Sequence, residues 1–381
     1  MNRSYQYRLY PTKTQITSLD FLRRQACTLY NAALEERREA WKMRRVSLNY
    51  YDQANQLKAI RSDDPHGLGL LNFSACQQVL RRVQKTYSAF FQRIKQGKGG
   101  FPRFKPYRRF RSLDFRYGDG VHLADGRLAV QNVGPIRVKW HRPLPVNAVV
   151  KAVVVTCDAT GKWFICFQIE LSDVLPPIHA SLAVGIDLGL STLAALSTGE
   201  CIRPPRYFRQ AEKLLRRQQR HLARCKRVSH RRKAVVRQVA VTHAHVANQR
   251  KDFAHKLSTR LVKDFSLIAV EDLNIKGITK SRLAKSTHDA GWSMLLQQLA
   301  YKASSAGVQF IAVDPYNTSQ ACSACGSIVK KSLGVRVHEC PECGLVLDRD
   351  INAARNILYR ALSAGTLLSD ANVEVPDSCV V

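Results

Sequence analysis

Negative charge is in short supply in this chain. Its 29 Asp and Glu face 60 Lys and Arg, a formal charge of +31 over 381 residues. An excess of that size repels itself in isolation and points to a polyanionic partner, most simply nucleic acid. Long apolar runs are missing too. None approaches the ~18 residues of a membrane helix, and the N-terminal stretch has no signal-peptide core. The expectation is a cytoplasmic, nucleoid-associated protein with no membrane. A membrane-surface role would need a long basic amphipathic helix with bulky apolar anchors, which the sequence lacks. Of the 11 Cys, seven (Cys27, Cys76, Cys157, Cys166, Cys201, Cys225, Cys379) are scattered and odd in number. That suits free thiols in a reducing compartment rather than a disulfide framework.

What is present begins with the other four cysteines. Cys322-x-x-Cys325 and Cys340-x-x-Cys343 are separated by fourteen residues, and each pair is followed by a glycine, Gly326 or Gly344. The glycine permits the tight turn from which one pair presents two thiolates. Four thiolates form a closed tetrahedral zinc site with no open position for chemistry. The insert is too short for a core of its own, so the metal must largely hold it together. Incidental cysteines or two disulfides fit this spacing poorly. A structural zinc ribbon is expected over 319–346. The segment DRDINAARNIL follows it, with Ile351, Ala354, Ile357 and Leu358 at helical spacing. Asp350 falls in the first turn of that helix, where the N-terminus favours a carboxylate. On the motif alone, capping and catalysis stand level for Asp350.

From the start of the chain, Ser4–Tyr10 reads as a strand stopped by Pro11. Thr12 to Arg45 is helical, with Leu19, Leu22, Ala26, Leu29, Ala33 and Trp41 on one face. A second helix lies near Tyr50–Ile60, and a third runs from Ser74 to Lys95 behind the candidate cap Asn72. Arg81 to Arg111 carries 11 Lys and Arg and no acid, with Phe101, Phe104, Tyr107 and Phe110 interleaved. Cations alternating with aromatics suit phosphate neutralisation and base stacking, with Arg103, Lys105, Arg108 and Arg109 as the contacts. A solvated basic loop is the alternative. From Ser112 to Leu171 the period becomes two. Five short strands, with turns at Ala124-Asp125-Gly126 and Ala159-Thr160-Gly161, would close a small barrel with the N-terminal strand. Ser172–Pro177 reads as a domain boundary.

The carboxylates come next. Leu182–Leu188 is a buried strand with Thr192–Ser197 returning beside it, and Asp187 is an acid in that apolar run. Such a group is unfavourable unless paired or metal-bound. Arg203 to Lys263 holds 19 Lys and Arg against only Glu212 and Asp252. Its apolar spacing is helical, and its cations suit phosphate backbone contacts, with a solvated face as the alternative. The five His within it (His221, His230, His243, His245, His255) lack metal-site spacing. A second apolar strand, Phe265–Val270, ends in Glu271-Asp272. A helix at Trp292–Ala306 and a third strand at Val308–Val313 follow. Hairpin, helix, strand, helix, strand, ribbon, helix is the layout of a ribonuclease-H-like fold.

In that layout Asp187 and Glu271 sit on adjacent central strands, and the last helix brings Asp350 to them. Three carboxylates on one edge suit hard divalent ions. Two Mg²⁺ about 4 Å apart would activate water and stabilise the leaving oxygen in phosphodiester cleavage. Asp272 should face the opposite side of its strand, and Asp348 should cap or brace the helix. Gly185 to Thr192 also resembles the first phosphate loop of actin-like ATPases. The second phosphate loop and the adenosine motif of those proteins are not found, and the ribbon and basic excess do not fit them.

YRLYPT near the start, GIDLGLST, IAVEDLNI, TSQACSACG with CPECG, and DRDINAARNI span most of the chain. In these motifs the sequence resembles the TnpB (OrfB) family, the RNA-guided nucleases of insertion sequences that are related to type V CRISPR effectors. The resemblance implies Asp187, Glu271 and Asp350 as the magnesium-binding triad and Cys322, Cys325, Cys340 and Cys343 as zinc ligands. It implies a multidomain α+β architecture. Residues 1–11 and 111–178 would form the small wedge β-barrel around a helical recognition lobe, 12–110. A RuvC-like nuclease core would span 179–318, with the ribbon inserted before its last helix, 347–365. The partners implied are a guide RNA from the transposon end and double-stranded target DNA read beside a short adjacent motif, by a protein monomeric in its RNA complex. That division leaves shape to the protein and sequence to base pairing. His338 stands where the family more often has an aromatic. The acidic residues 366–381 match nothing and are expected to form a loose tail. A strand-joining transposase, with the same fold and acids, and a guided DNA-binding regulator without cleavage are the alternatives.

Overall fold

In the computed structural model the first strand, β1 (Asn2–Tyr10), lies inside a sheet whose other strands come more than a hundred residues later. The structure describes residues 2–171, 182–332 and 334–364, and it divides into two units, Met1–Asp173 and Val174–Val381. In the first unit β1 leads into helices α1 (Lys13–Arg44), α2 (Tyr50–Asp63) and α3 (Phe73–Lys95). Strands β2 (Ser112–Arg116), β3 (Val121–Ala124), β4 (Arg127–Val130), β5 (Gly134–Lys139), β6 (Ala148–Cys157) and β7 (Trp163–Leu171) follow. All pair antiparallel, in the order β2-β6-β7-β1-β5-β4-β3. There is one strand more than the sequence pattern suggested. Val121–Val130 folds back at Asp125-Gly126, both with left-handed φ (49° and 71°), into two short strands.

Alternate residues of β1 and β7, among them Tyr7, Leu9, Trp163, Ile165 and Phe167, turn inward. They share one core with Leu19, Leu22 and Tyr30 of α1 and Val79, Leu80 and Val83 of α3. Thr12 starts α1 with a capping box. Its hydroxyl accepts from the Gln15 amide, and the Gln15 side chain accepts from the amide of Thr12. Asn72 caps α3 by accepting from Ala75 N at 3.2 Å. Trp41, placed on the buried face of α1 by its spacing, is instead 52% exposed. The last turns of that helix carry no buried residue beyond Arg37, and Trp41 stacks instead under the guanidinium of Arg45.

The second unit holds β8 (Ala183–Asp187), β9 (Ala194–Leu196) and β10 (Cys201–Ile202), then α4 (Tyr207–Arg224) and α5 (His230–Asp264). It continues with β11 (Leu267–Glu271), α6 (Ile275–Ile278), α7 (Ala284–Ala290), α8 (Trp292–Ala306) and β12 (Gln309–Val313), then β13 (Val337–Glu339), β14 (Val346–Asp348) and α9 (Arg349–Ala364). The main sheet runs β10-β9-β8-β11-β12, with β8, β11 and β12 parallel. Strands β8 and β11 are apolar and buried apart from their acids, as strands covered on both faces should be, while the edge strand β12 starts at Gln309 and buries only Val313. Val184, Ile186, Ile268 and Val270 face Leu257 and Leu261 of α5 and Leu295 and Leu299 of α8. Ala183, Leu267 and Ala269 face Ile357, Leu358 and Ala361 of α9. Of the long basic segment, α4 fully buries only Leu215 and lies along α5, where Thr242 donates to Gln218 Oε1. Its start is held by buried Asp289, which accepts from Phe208 N and Arg209 N and pairs with Arg250. The boundary expected at 172–177 and the tail expected at 366–381 lie outside the described residues. No helix among the described residues is long and apolar enough to cross a membrane.

Candidate active site and metal centre

Asp187 ends β8, and Glu271 ends β11. Their strands pair in parallel with Val270 opposite Ile186, so one further step sets Glu271 beside Asp187. With a period of two, both acids lie on the face that α9 covers. Glu271 is buried, and Thr318 donates its hydroxyl proton to Oε1. Asp350 is also buried, in the first turn of α9. Burial first, and then the charges of Glu271 and Asp350, push the Asp187 carboxyl up to about 8, against an opposing pull from Arg349. Glu271 is raised as well, chiefly by burial, with the Thr318 hydroxyl and Arg360 acting the other way. Asp187 thus feels the charge of the other two acids, as a carboxylate does among neighbouring carboxylates.

The cap of α9 belongs to Asp348. Its Oδ1 accepts from Asp350 N at 2.8 Å and Ile351 N at 3.2 Å. The Asp350 carboxylate is turned elsewhere, toward Arg336 Nη1 at 3.5 Å and Arg349 Nη2 at 3.4 Å. Asp272 is exposed, and its amide donates to Val313 O.

The four cysteines converge. Their sulfurs all lie within 4.8 Å of one another, with Cys322 to Cys343 and Cys325 to Cys340 each 3.6 Å apart. A disulfide would bring sulfurs to ~2.05 Å. A tetrahedron of thiolates ~2.3 Å from zinc places them ~3.8 Å apart, so the donor set fits that ion in both chemistry and spacing. Each pair sits on a matching turn. Gly326 N donates to Cys322 O and Gly344 N to Cys340 O, both glycines having left-handed φ of 79° and 74°. Ser327 beside Cys325 lowers that thiol to about 6, toward the thiolate that a metal requires. Among the described residues the cysteines alone bring three or more such ligand atoms this close, and the three carboxylates stand wider apart.

The sequence reading missed the residues that join these two groups. Asn352 Nδ2 donates to Ala321 O, and its Oδ1 accepts from Ser323 N. Asn356, one turn on, donates to Thr318 O at 2.8 Å and Ala321 O at 2.7 Å. Their i, i+4 spacing in DINAARNI was the available signal.

The basic loop of the first unit divides into two roles. Lys105 is clamped to α1, its backbone N and O bonding Asn31, with its ammonium 4.3 Å from the Tyr30 ring centroid. Tyr107 lies between the guanidiniums of Arg23 and Arg24 and accepts from Arg23 Nη2 at 2.6 Å. Phe110 is core, and Phe101 packs on Phe90. Arg103, Phe104, Arg108 and Arg109 remain exposed. Lys105, Tyr107 and Phe110, grouped by sequence with the nucleic-acid contacts, are therefore anchors of the loop.

A family profile described as "Probable transposase" matches residues 166–282, and one described as "Cas12f1-like, TNB domain" matches 292–357. A third, "Helix-turn-helix domain", matches 1–45, which in this chain form β1 and α1. A Streptomyces pristinaespiralis protein named "Putative RNA-guided DNA endonuclease" is 35% identical over 372 residues, covering 96% of this chain and 90% of the relative. The chain belongs to the TnpB (OrfB) family. Among TnpB relatives, InsQ of Escherichia coli (strain K12), named in the same way, is 35% identical over 315 residues, 77% of this chain and 76% of its own. The solved structure described as "Cryo-EM structure of the Cas12f1-sgRNA-target DNA complex" aligns with a TM-score of 0.58 at 15% identity, covering 90% of this chain and 82% of that one. That likeness is one of fold, a mixed α/β architecture.

Proposed function

We propose that this chain is an RNA-guided, Mg²⁺-dependent DNA endonuclease of an insertion sequence. It cuts DNA matched to a guide RNA made from the transposon end, beside a short adjacent motif. The observation that carries the reading is the set of three acids on one face: Asp187 and Glu271 side by side at strand ends, and Asp350 free of the cap. The parallel strands under α9 then form a RuvC-like core (179–318 with 347–365). The seven-stranded sheet forms the wedge barrel (1–11 with 111–178) around a recognition lobe (12–110), and zinc holds the ribbon (319–346). Asp187, Glu271 and Asp350 supply hard oxygen donors of like charge, the ligand type that Mg²⁺ takes. An ion held by these residues would supply polarisation of a phosphodiester and activation of a water.

Arg103, Arg108 and Arg109 meet the RNA backbone, with Phe104 available for stacking. The relatives' names support guided cleavage, and the basic excess supports an RNA and a DNA partner together. The protein acts as a monomer with its RNA in the nucleoid-containing cytoplasm.

Strand-joining transposition remains the second reading, because the same acids serve it and the matched profile carries that description. The test is cleavage of a guide-matched duplex by full-length protein with and without the transposon-end RNA. RNA-dependent cutting is expected. Equal cutting in both cases, or joined products, would overturn the guided reading.

A further inference from the structure

Thr318 touches two parts of the acidic centre at once. Its hydroxyl donates to Glu271 Oε1 at the end of β11 and also lies 3.1 Å from Pro315 O. Its backbone carbonyl accepts from Asn356 Nδ2 of α9 at 2.8 Å. That helix carries Asp350 in its first turn. Thr318 is itself buried and lies four residues before Cys322, the first cysteine of the ribbon.

Glu271 and Asp350 belong to different elements, and no direct bond joins them. A metal site needs its carboxylates at a fixed separation, and partners behind the ligands set that separation. Pro315 competes for the same hydroxyl, but Glu271 is the nearer acceptor and the only charged one. Charge-assisted hydrogen bonds are the stronger kind.

We propose that Thr318 is a positioning residue. It fixes the rotamer of Glu271 and, through Asn356, ties that acid to the helix bearing Asp350, so that the start of the ribbon sets the spacing of the divalent-ion ligands. This rests on the reading of Glu271 and Asp350 as metal ligands.

The experiment is Mn²⁺ binding by the full-length protein, followed by electron paramagnetic resonance, alongside the Mg²⁺ dependence of guided cleavage. Thr318→Val keeps the shape and removes the donor. It is expected to weaken Mn²⁺ binding by roughly 10–100-fold and to raise the half-saturating Mg²⁺ by a similar factor. Thr318→Ser restores the hydroxyl and should return both to within a few-fold of wild type. Asn356→Ala leaves the Glu271 bond and releases Thr318 from α9. It should shift Mn²⁺ binding in the same direction by a smaller factor, and it decides the matter if Thr318→Val does not fold. Wild-type Mn²⁺ affinity in folded Thr318→Val, or in Asn356→Ala where Thr318→Val is unfolded, overturns the proposal while leaving the endonuclease reading intact. A wild-type chain that neither binds Mn²⁺ nor cuts would instead remove the endonuclease reading and this proposal with it.

Discussion

A β-carbon on Gly185 would lie 2.0 Å from the carbonyl oxygen of Ala354 and 2.7 Å from the amide nitrogen of Leu358. The strand that ends in Asp187 therefore rests directly on the backbone of the helix that carries Asp350 in its first turn. Nothing larger than hydrogen fits between them, and the obstacle is main chain, which cannot rotate away. The glycine of GIDLG, read by its spacing as a phosphate-loop lookalike, has a packing explanation.

Gly185→Ala should force β8 and α9 apart. Overpacking a core commonly costs about 1–3 kcal/mol, and a clash with main chain belongs at or above the top of that range. The melting temperature should fall by roughly 6 °C or more. Thermal unfolding of the purified variant checks this, and an unchanged midpoint would contradict the packing described.

The two aspartates of DRD should separate cleanly. Asp350→Ala is expected to abolish cleavage while leaving RNA binding and the melting temperature near wild type. Asp348→Ala removes the α9 cap, which costs about 1 kcal/mol, and should leave most of the cleavage. Equal cleavage by the two variants would reverse these roles.

Asp187 gives a pH test in metal-free buffer. Its carboxyl titrates near 8 in the folded protein and near ~3.9 when unfolded. Between those values the folded chain holds a proton that the unfolded chain has released. Stability is therefore full below the unfolded value and declines as pH rises toward 8, by at most ~1.4 kcal/mol per pH unit, then levels. Asp187→Asn removes that decline. With chelator present, the melting temperature of the variant should exceed wild type by a margin that widens from pH 5 to pH 8. A constant margin would show that Asp187 ionises normally. On the proposed assignment of Asp187 as a Mg²⁺ ligand, binding would displace the same proton, so Mg²⁺ affinity for wild type should rise with pH over this window.

Metal analysis should find one zinc per chain in the wild type; Cys325→Ser should lose it, and proteolysis should then cut within 319–346. A metal-free wild type with a protected ribbon would contradict the assignment.

The basic loop yields a split result. Arg103, Arg108 and Arg109 changed together to Ala should weaken RNA binding and flatten its salt dependence, by ~0.7 to 0.9 in log–log slope for each phosphate no longer neutralised. Lys105→Ala should instead lower the melting temperature with little change in that slope, because its ammonium lies over Tyr30. Filter binding across a salt series distinguishes the two.

Most of what the sequence made legible carries either a strict period or a covalently imposed spacing. The apolar runs around Asp187, Glu271 and Val313 announced a covered sheet, and the CxxC pairs announced the ribbon. The helix Trp292–Ala306 lies where it was expected, and the structure ends it at both sides on glycines with left-handed φ. What stayed hidden depended on partners distant in the chain. No local pattern distinguishes Lys105 on an aromatic ring from Arg103 in solvent, since both alternate with Phe in the same run. Thr318 looked like part of the approach to the ribbon until Glu271, 47 residues earlier, was placed against it. Trp41 has the right spacing for the core but lies beyond the layer it would have to reach.

The place of β1 has a consequence for synthesis. Strand β1 leaves the ribosome long before its partners β5 and β7, and Leu9 meets Trp163 across 154 residues. Until β5 and then β7 emerge, that strand lacks its two partners, and the helices between have only each other to pack against. At about 5–20 residues per second the wait is on the order of 10–30 s, during which an unpaired edge is open to other chains. Translation speed through 13–163 thus becomes a determinant of how much of this protein reaches its native form.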